Sequence, residues 1–383
     1  MAVSDSGRRR PPAGRRLVLG AVAGAALVLV TEVARPREGE ARPVDWGEIA
    51  RIARARLEAA DDLPPDRVAE VTLLYRRLAA EVQEPLLAAL GGLPAGASMP
   101  EFDALGRLSW LDLNLRIFRR ALDPLLEVHA AGLTNNRLID LGRAGLDRYT
   151  AFLLAFLGRR VLGQFDPQLL GREPVEVGEA ASPGLYLVEP NVAEWERRAG
   201  LPGEQLRRWL ILHEMTHAWQ FAAHPWLRDH VNGLLREALG TAPAAPTPWA
   251  RVVSLAGGVR SQWRVAQRMQ AVMSLVEGYG NLAMNVVGAH ILPDLEQLEA
   301  AYRRRGADRS PLDSLILRAT GLDLKMRQYE VGERFARQVM ESHGMAALNR
   351  AWAGPWALPT LGELEDPEAW HRRVSGSSPA DSR

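Results

Sequence analysis

The stretch LRRWLILHEMTHAWQFAA, residues 206–223, decides how this chain is read. Pro202 and Gly203 precede it and Pro225 follows, so the pattern predicts one helix over residues 204–223. From Trp209 to Ala223 the polar side chains are His213, Glu214, Thr216, His217 and Gln220, and every face is otherwise apolar. A helix that is apolar all round belongs in a core. An imidazole or carboxylate buried there without a partner costs several kcal/mol, so something must compensate three ionisable groups at once.

Spacing suggests what that is. His213 and His217 are four residues apart and lie one turn apart on one face, in register with Leu206, Trp209 and Leu210. Two imidazoles so placed can donate lone pairs to one tetrahedral zinc ion. Glu214, next to the first of them, is offset around the helix toward a water rather than the metal. This is the H-E-x-x-H arrangement with the glutamate as general base. The plainer reading is two satisfied core histidines beside a paired glutamate.

A catalytic zinc also needs a third protein ligand and an open position. Glu277, in AVMSLVEGYGNLAMN, lies 60 residues after His217 and is a lone carboxylate among Val272, Met273, Val276 and Met284. A buried carboxylate with no basic neighbour needs a cation. Gly278 and Gly280 leave room for another helix to come close. Glu237, in GLLREALG, lies 20 residues after His217, but its helix is amphipathic and Arg236 adjoins it. Glu277 is the favoured ligand and Glu237 the alternative.

The remaining sequence bounds these ideas. The chain has 383 residues, a formal net charge of +1 and no cysteine. The absent cysteines exclude disulfides, iron–sulfur clusters, thiolate zinc sites and cysteine nucleophiles. The balanced charge gives no electrostatic case for a nucleic-acid partner. GRRRPPAGRR (7–16) followed by LVLGAVAGAALVLV (17–30) has the order of an export signal or a short membrane anchor, so membrane association through residues 17–30 is expected. A cytoplasmic chain with that helix packed on itself is the alternative.

Residues 1–43 therefore read as signal or anchor plus linker, 44–372 as the folded domain, and 373–383 as a disordered tail. Amphipathic helical periodicity fills most of the domain, including 101–128 and 135–163. EPVEVGE (173–179) and GLYLVEP (184–190) read as strands with SPG between them as a turn. The fold class is mainly α, of the α+β kind, with one small β-sheet.

Several segments in order carry a resemblance: RRVLGQFDP (159–167), LYLVEPNVAEWE (185–196), HEMTHAWQF (213–221) with HPWLRDH (224–230), LVEGYGNLAMN (275–285), LKMRQYEVGERF (324–335) and LPTLGELEDPEAW (358–370). Together they resemble a bacterial zincin-like family of zinc-dependent metalloproteases or hydrolases, some described as associated with coenzyme F420 biosynthesis. The resemblance covers most of residues 44–372. It implies a helical, gluzincin-related fold, a Zn2+ ion on His213, His217 and Glu277, and Glu214 as the base. The family's third-ligand segment often reads E-G-H-A, whereas this chain has Glu277-Gly278-Tyr279-Gly280.

The expected activity is hydrolysis of a peptide or protein substrate. The strand GLYLVEP is expected to be the sheet edge that pairs with it. An oxyanion needs a further donor; the candidates are Tyr329, Lys325, Tyr279 and His343, with Tyr329 and Lys325 four residues apart on one helical face. His224, His230 and His290 read as structural or surface residues. The competing function is a non-catalytic, zinc-stabilised binding or scaffold protein. An intact Glu214 argues against it, because a structural site needs no base.

Overall fold

The computed structural model describes residues 44–58, 62–130, 137–169, 184–240, 248–307 and 322–376. The first helices are α1 (Trp46–Leu57) and α2 (Pro65–Leu90), followed by strand β1 (Phe102–Leu105), α3 (Arg107–Ala130), α4 (Arg137–Gly158), β2 (Gly163–Asp166) and β3 (Gly184–Val188). Then come α5 (Glu189–Ala199), α6 (Gly203–Ala223), α7 (Trp226–Gly240), α8 (Pro248–Ile291), α9 (Leu295–Ala307) and α10 (Leu322–His343). Three short helices close the chain: α11 (Met345–Asn349), α12 (Leu361–Glu365) and α13 (Pro367–Gly376). The mainly helical class with one small sheet is what the periodicity predicts.

Helix α6 is the buried centre. It packs against α2 on one side, α8 on another, and β2 and β3 on a third. Leu206, Ile211, Leu212 and Ala218 are fully buried, as the lack of a polar face requires. Each fully buried Leu or Ile stabilises the fold by about 1.5–3 kcal/mol, which offsets part of the cost of enclosing the helix's polar groups. A smaller apolar cluster joins α1, α3 and α4 through Ile49, Leu57, Trp110, Leu111 and Leu154, and Val188 at the end of β3 belongs to it.

Strand order is β1–β3–β2. β3 pairs parallel with β1, Phe102 opposite Leu185, and antiparallel with β2, Gly163 opposite Leu187. This corrects three expectations. GLYLVEP is the central strand, not the edge; its GLYLV run is buried at four of five positions because both neighbours cover it. Residues 101–128 are not helical throughout, since FDAL forms β1 before α3 begins. The helical reading of 135–163 overruns, because α4 stops at Gly158 and Gly163 opens β2. Four-residue strands are too short to establish an alternating pattern against the helical periodicity around them. The strand expected at 173–179 lies outside the described residues.

The tail boundary also moves. α13 runs to Gly376, with Val374 buried and Arg373 bonded to Glu363 and to the carbonyls of Trp356 and Leu358. Residues 373–376 are thus folded; composition alone misjudged a short helix anchored by two side chains. Residues 1–43 lie outside the described residues. Among those described, no helix is long and apolar enough to cross a membrane.

Candidate metal centre

His213 and His217 project from the middle of α6 toward Glu277 in the middle of α8. The His213 and His217 Nε2 atoms are 3.1 Å apart, and Glu277 Oε2 lies 3.6 Å from the first and 3.4 Å from the second. Four donors around zinc at 2.0–2.1 Å lie on a tetrahedron whose edges are about 1.6 times the bond length, or about 3.4 Å. The three observed edges scatter around that value, so one ion fits all three donors. The nitrogen, nitrogen and carboxylate-oxygen set also suits zinc.

Close approach makes this possible. A Cβ at Gly280 would lie 3.1 Å from His217 Cε1 and 3.4 Å from His213 Cε1, so the rings rest on bare backbone. The two helices are tied further by Gln220, which is fully buried. His217 Nδ1 is 3.0 Å from Gln220 Oε1, and Gln220 Nε2 donates to the Val276 carbonyl at 3.0 Å. Because that amide group donates to Val276, its oxygen is left to accept from Nδ1–H. His217 is thereby held in the tautomer whose Nε2 lone pair faces the other donors. His213 Nδ1 is buried and has no hydrogen-bond partner among the described residues.

The electrostatics are those of a cation site. Burial opposes the charge on Glu277, yet the two imidazoles hold its carboxyl well below the usual range. Burial likewise lowers His217, but Glu277 outweighs it and raises the imidazole from 6.5 to about 9. Both shifts favour positive charge at the point where the three donors meet.

Glu214 is buried on the neighbouring face of α6 and lies against β2. A Cβ on Gly163 would sit 2.5 Å from Glu214 Oε1, so any larger residue there would displace the Glu214 carboxylate. β2 is clamped beside α6 by alternation. Gly163 and Phe165 face it, the latter 5.6 Å from the Phe221 ring, while Gln164 turns away to accept from Trp110 and Asn114 on α3. His213, Glu214, His217 and Glu277 all line one open cleft of 2910 Å³ that runs past β2.

The other candidates lie elsewhere. Glu237 is exposed and pairs with Arg268, so the solvated reading of its helix is correct and it takes no part in the cluster. Tyr279, two residues and about 200° around α8 from Glu277, is fully buried on the opposite side. It stacks on Trp219 at 5.7 Å, meets Trp352 edge-on and donates to Asn349 Oδ1 at 2.6 Å. It is not an oxyanion donor, and burial pushes its hydroxyl pKa up. The departure from E-G-H-A at this position therefore falls in an aromatic cluster and leaves the donor set intact. His343 is remote from that set, stacked on His371 and bonded to Glu368. His224 is packed between Trp219 and Trp352, and burial lowers it to about 4. The side chains of Lys325 and Tyr329, on α10, lie outside the described residues.

Sequence reasoning missed Gln220 and β2. The signal for Gln220 was present: it is the remaining amide on an apolar helix, three residues after a histidine. Gln220→Leu keeps the volume and removes both hydrogen bonds. Zinc affinity measured by chelator competition is expected to fall about 10- to 100-fold, with helical content unchanged.

A helical core presenting His-x-x-x-His from one helix and a glutamate from another defines a class of protein built around a metal centre. The family model described as zincin-like metallopeptidase matches residues 44–371, and this chain belongs to that family. A crystal structure from Chloroflexus aurantiacus, described as a candidate hydrolase with a novel fold, is similar at 32% identity and a TM-score of 0.66. The match covers 88% of this chain and 100% of that one. No curated protein matches the chain.

Proposed function

We propose that the protein is a zinc-dependent hydrolase of peptide bonds, with His213, His217 and Glu277 as ligands and Glu214 as general base. One observation carries the reading: three donor atoms lie at the edge lengths of a zinc tetrahedron, and the adjoining carboxylate faces an open cleft. A zinc ion bound there would supply Lewis acidity to a carbonyl and acidify a water.

The chain's own residues do the rest. Glu214 accepts the proton of the attacking water and passes it to the leaving amine. Gln220 keeps His217 in the required tautomer. β2 replaces β3 as the substrate strand. One of its sides pairs with β3, and the other has no strand partner among the described residues. An extended peptide added there would run directly past Glu214.

Digestion of a peptide library followed by mass spectrometry tests this. Glu214→Gln should retain one zinc per chain while its cleavage rate falls by a factor of about 100 to 10,000. A variant that cleaves as fast as wild type would remove Glu214 from the mechanism. Zinc bound without cleavage by the wild type would favour the scaffold function.

A further inference from the structure

The cleft is also lined by a basic arm, a set of arginines from three helix ends. Arg159 and Arg160 follow α4, Arg197 and Arg198 end α5, and Arg304 and Arg305 end α9. All six line the same cleft as His213 and Glu277. Three carboxylates that line the cleft are already engaged. Glu194 pairs with Arg107 and Arg198, Glu299 with Arg303, and Glu189 with Arg207. Arg159, Arg197 and Arg304 have no carboxylate partner among the described residues and are exposed.

Cations in a last helical turn are favoured by the helix dipole, and that accounts for any one of these pairs. It does not account for three such pairs lining one cleft. The wall is also held in place. Arg305 donates to the Arg160 carbonyl at 2.8 Å and lies over the Trp195 ring at 5.0 Å, fastening the end of α9 to the approach to β2.

Its position relative to the reacting centre follows from the strand. Gly163 touches Glu214, and Arg160 is three residues earlier. Arg160 sits in the turn that follows α4, so three residues at no more than about 3.3 Å each put its backbone within about 10 Å of Gly163. A peptide lying along β2 would present to them the side chains two to four positions from its cleaved bond.

We propose that this arm selects acidic peptides, with Asp or Glu carboxylates two to four residues from the bond to be cut. The inference takes its register from the peptidase reading above, and its test needs neither zinc nor turnover. Two fluorescein-labelled peptides would be compared by anisotropy on the full-length Glu214→Gln protein. They are identical except for three glutamates or three glutamines at those positions. The glutamate peptide is expected to bind about tenfold tighter at low salt, with the advantage shrinking as salt is raised. Arg197→Glu combined with Arg304→Glu should erase the preference while zinc content and thermal midpoint stay at wild-type values.

Equal affinity for the two peptides overturns the proposal, as does a preference that survives the double reversal. So does a thymidylate oligomer of matched charge that displaces the acidic peptide at lower concentration. If cleavage is found but no acidic preference, the peptidase reading stands and the arginine wall is structural. If the preference persists in Glu277→Gln protein that neither binds zinc nor cleaves, the binding arm stands without the chemistry.

Discussion

Glu277→Gln is expected to abolish stoichiometric zinc binding, with affinity down by more than about 100-fold, while Glu237→Gln leaves it unchanged. Loss of a supporting group around a metal costs about 10- to 100-fold. Loss of one of three ligands must exceed that, because an amide oxygen is a neutral and weaker donor than a carboxylate. Elemental analysis and chelator competition on the two variants provide the check. Metal retained by Glu277→Gln would break the proposed donor set. A pH series on the wild type adds a second readout. With His217 raised to about 9 by Glu277, a proton occupies the site below that pH and must leave as metal enters. Affinity should therefore tighten about tenfold per pH unit up to about 9 and level off above it. Glu277→Gln removes the cause of the raised value and should flatten that slope toward ordinary imidazole behaviour.

The second large effect is on stability. α8 and α10 cross with backbone against backbone. A Cβ added to Gly332 would overlap the Ser274 carbonyl oxygen, and one added to Gly278 would overlap the Gly332 backbone. Neither obstacle is the movable end of a side chain, so the helices themselves would have to separate. Overpacking of a close contact typically costs about 1–3 kcal/mol, and a backbone collision belongs at or beyond the top of that range. Gly332→Ala is expected to lower the unfolding free energy by about 3 kcal/mol or more. Gly233→Ala is the control: it sits in α7 with nothing near its Cβ position, so it should be neutral or stabilise by up to about 1 kcal/mol. Chemical denaturation of both variants measures the difference. A Gly332→Ala protein as stable as wild type would show that the crossing relaxes freely.

Much of the site was legible because helical phase is legible. His213 and His217 share a face by their spacing, and Glu277 stood out as an acid with no base near it in sequence. The same arithmetic placed Tyr279 about 200° from Glu277, yet which side faced the metal depended on how α8 docks against α6, and one sequence does not specify that. Gln220 was visible only as an unexplained amide, since its second partner is the Val276 carbonyl, a group every residue possesses. β2 was hidden for a different reason. GQFD carries one large apolar side chain, and its identity as a strand rests on pairing with β3 and on the absent side chain of Gly163. The central place of β3 was likewise a matter of topology, because a run buried on both faces reads the same at an edge.

The donor set joins two helices whose contributing residues are 60 positions apart, with all of α7 between them. In the unfolded chain those ligands must be gathered across a long loop, and the entropy of closing that loop is lost before any coordination energy is returned. The centre is complete only where α6 and α8 are docked. An ion held there acts as a removable staple on the native state, strengthening the fold with the logarithm of its own free concentration once that exceeds the dissociation constant. Metal supply would then set how long the protein lasts as well as whether it works.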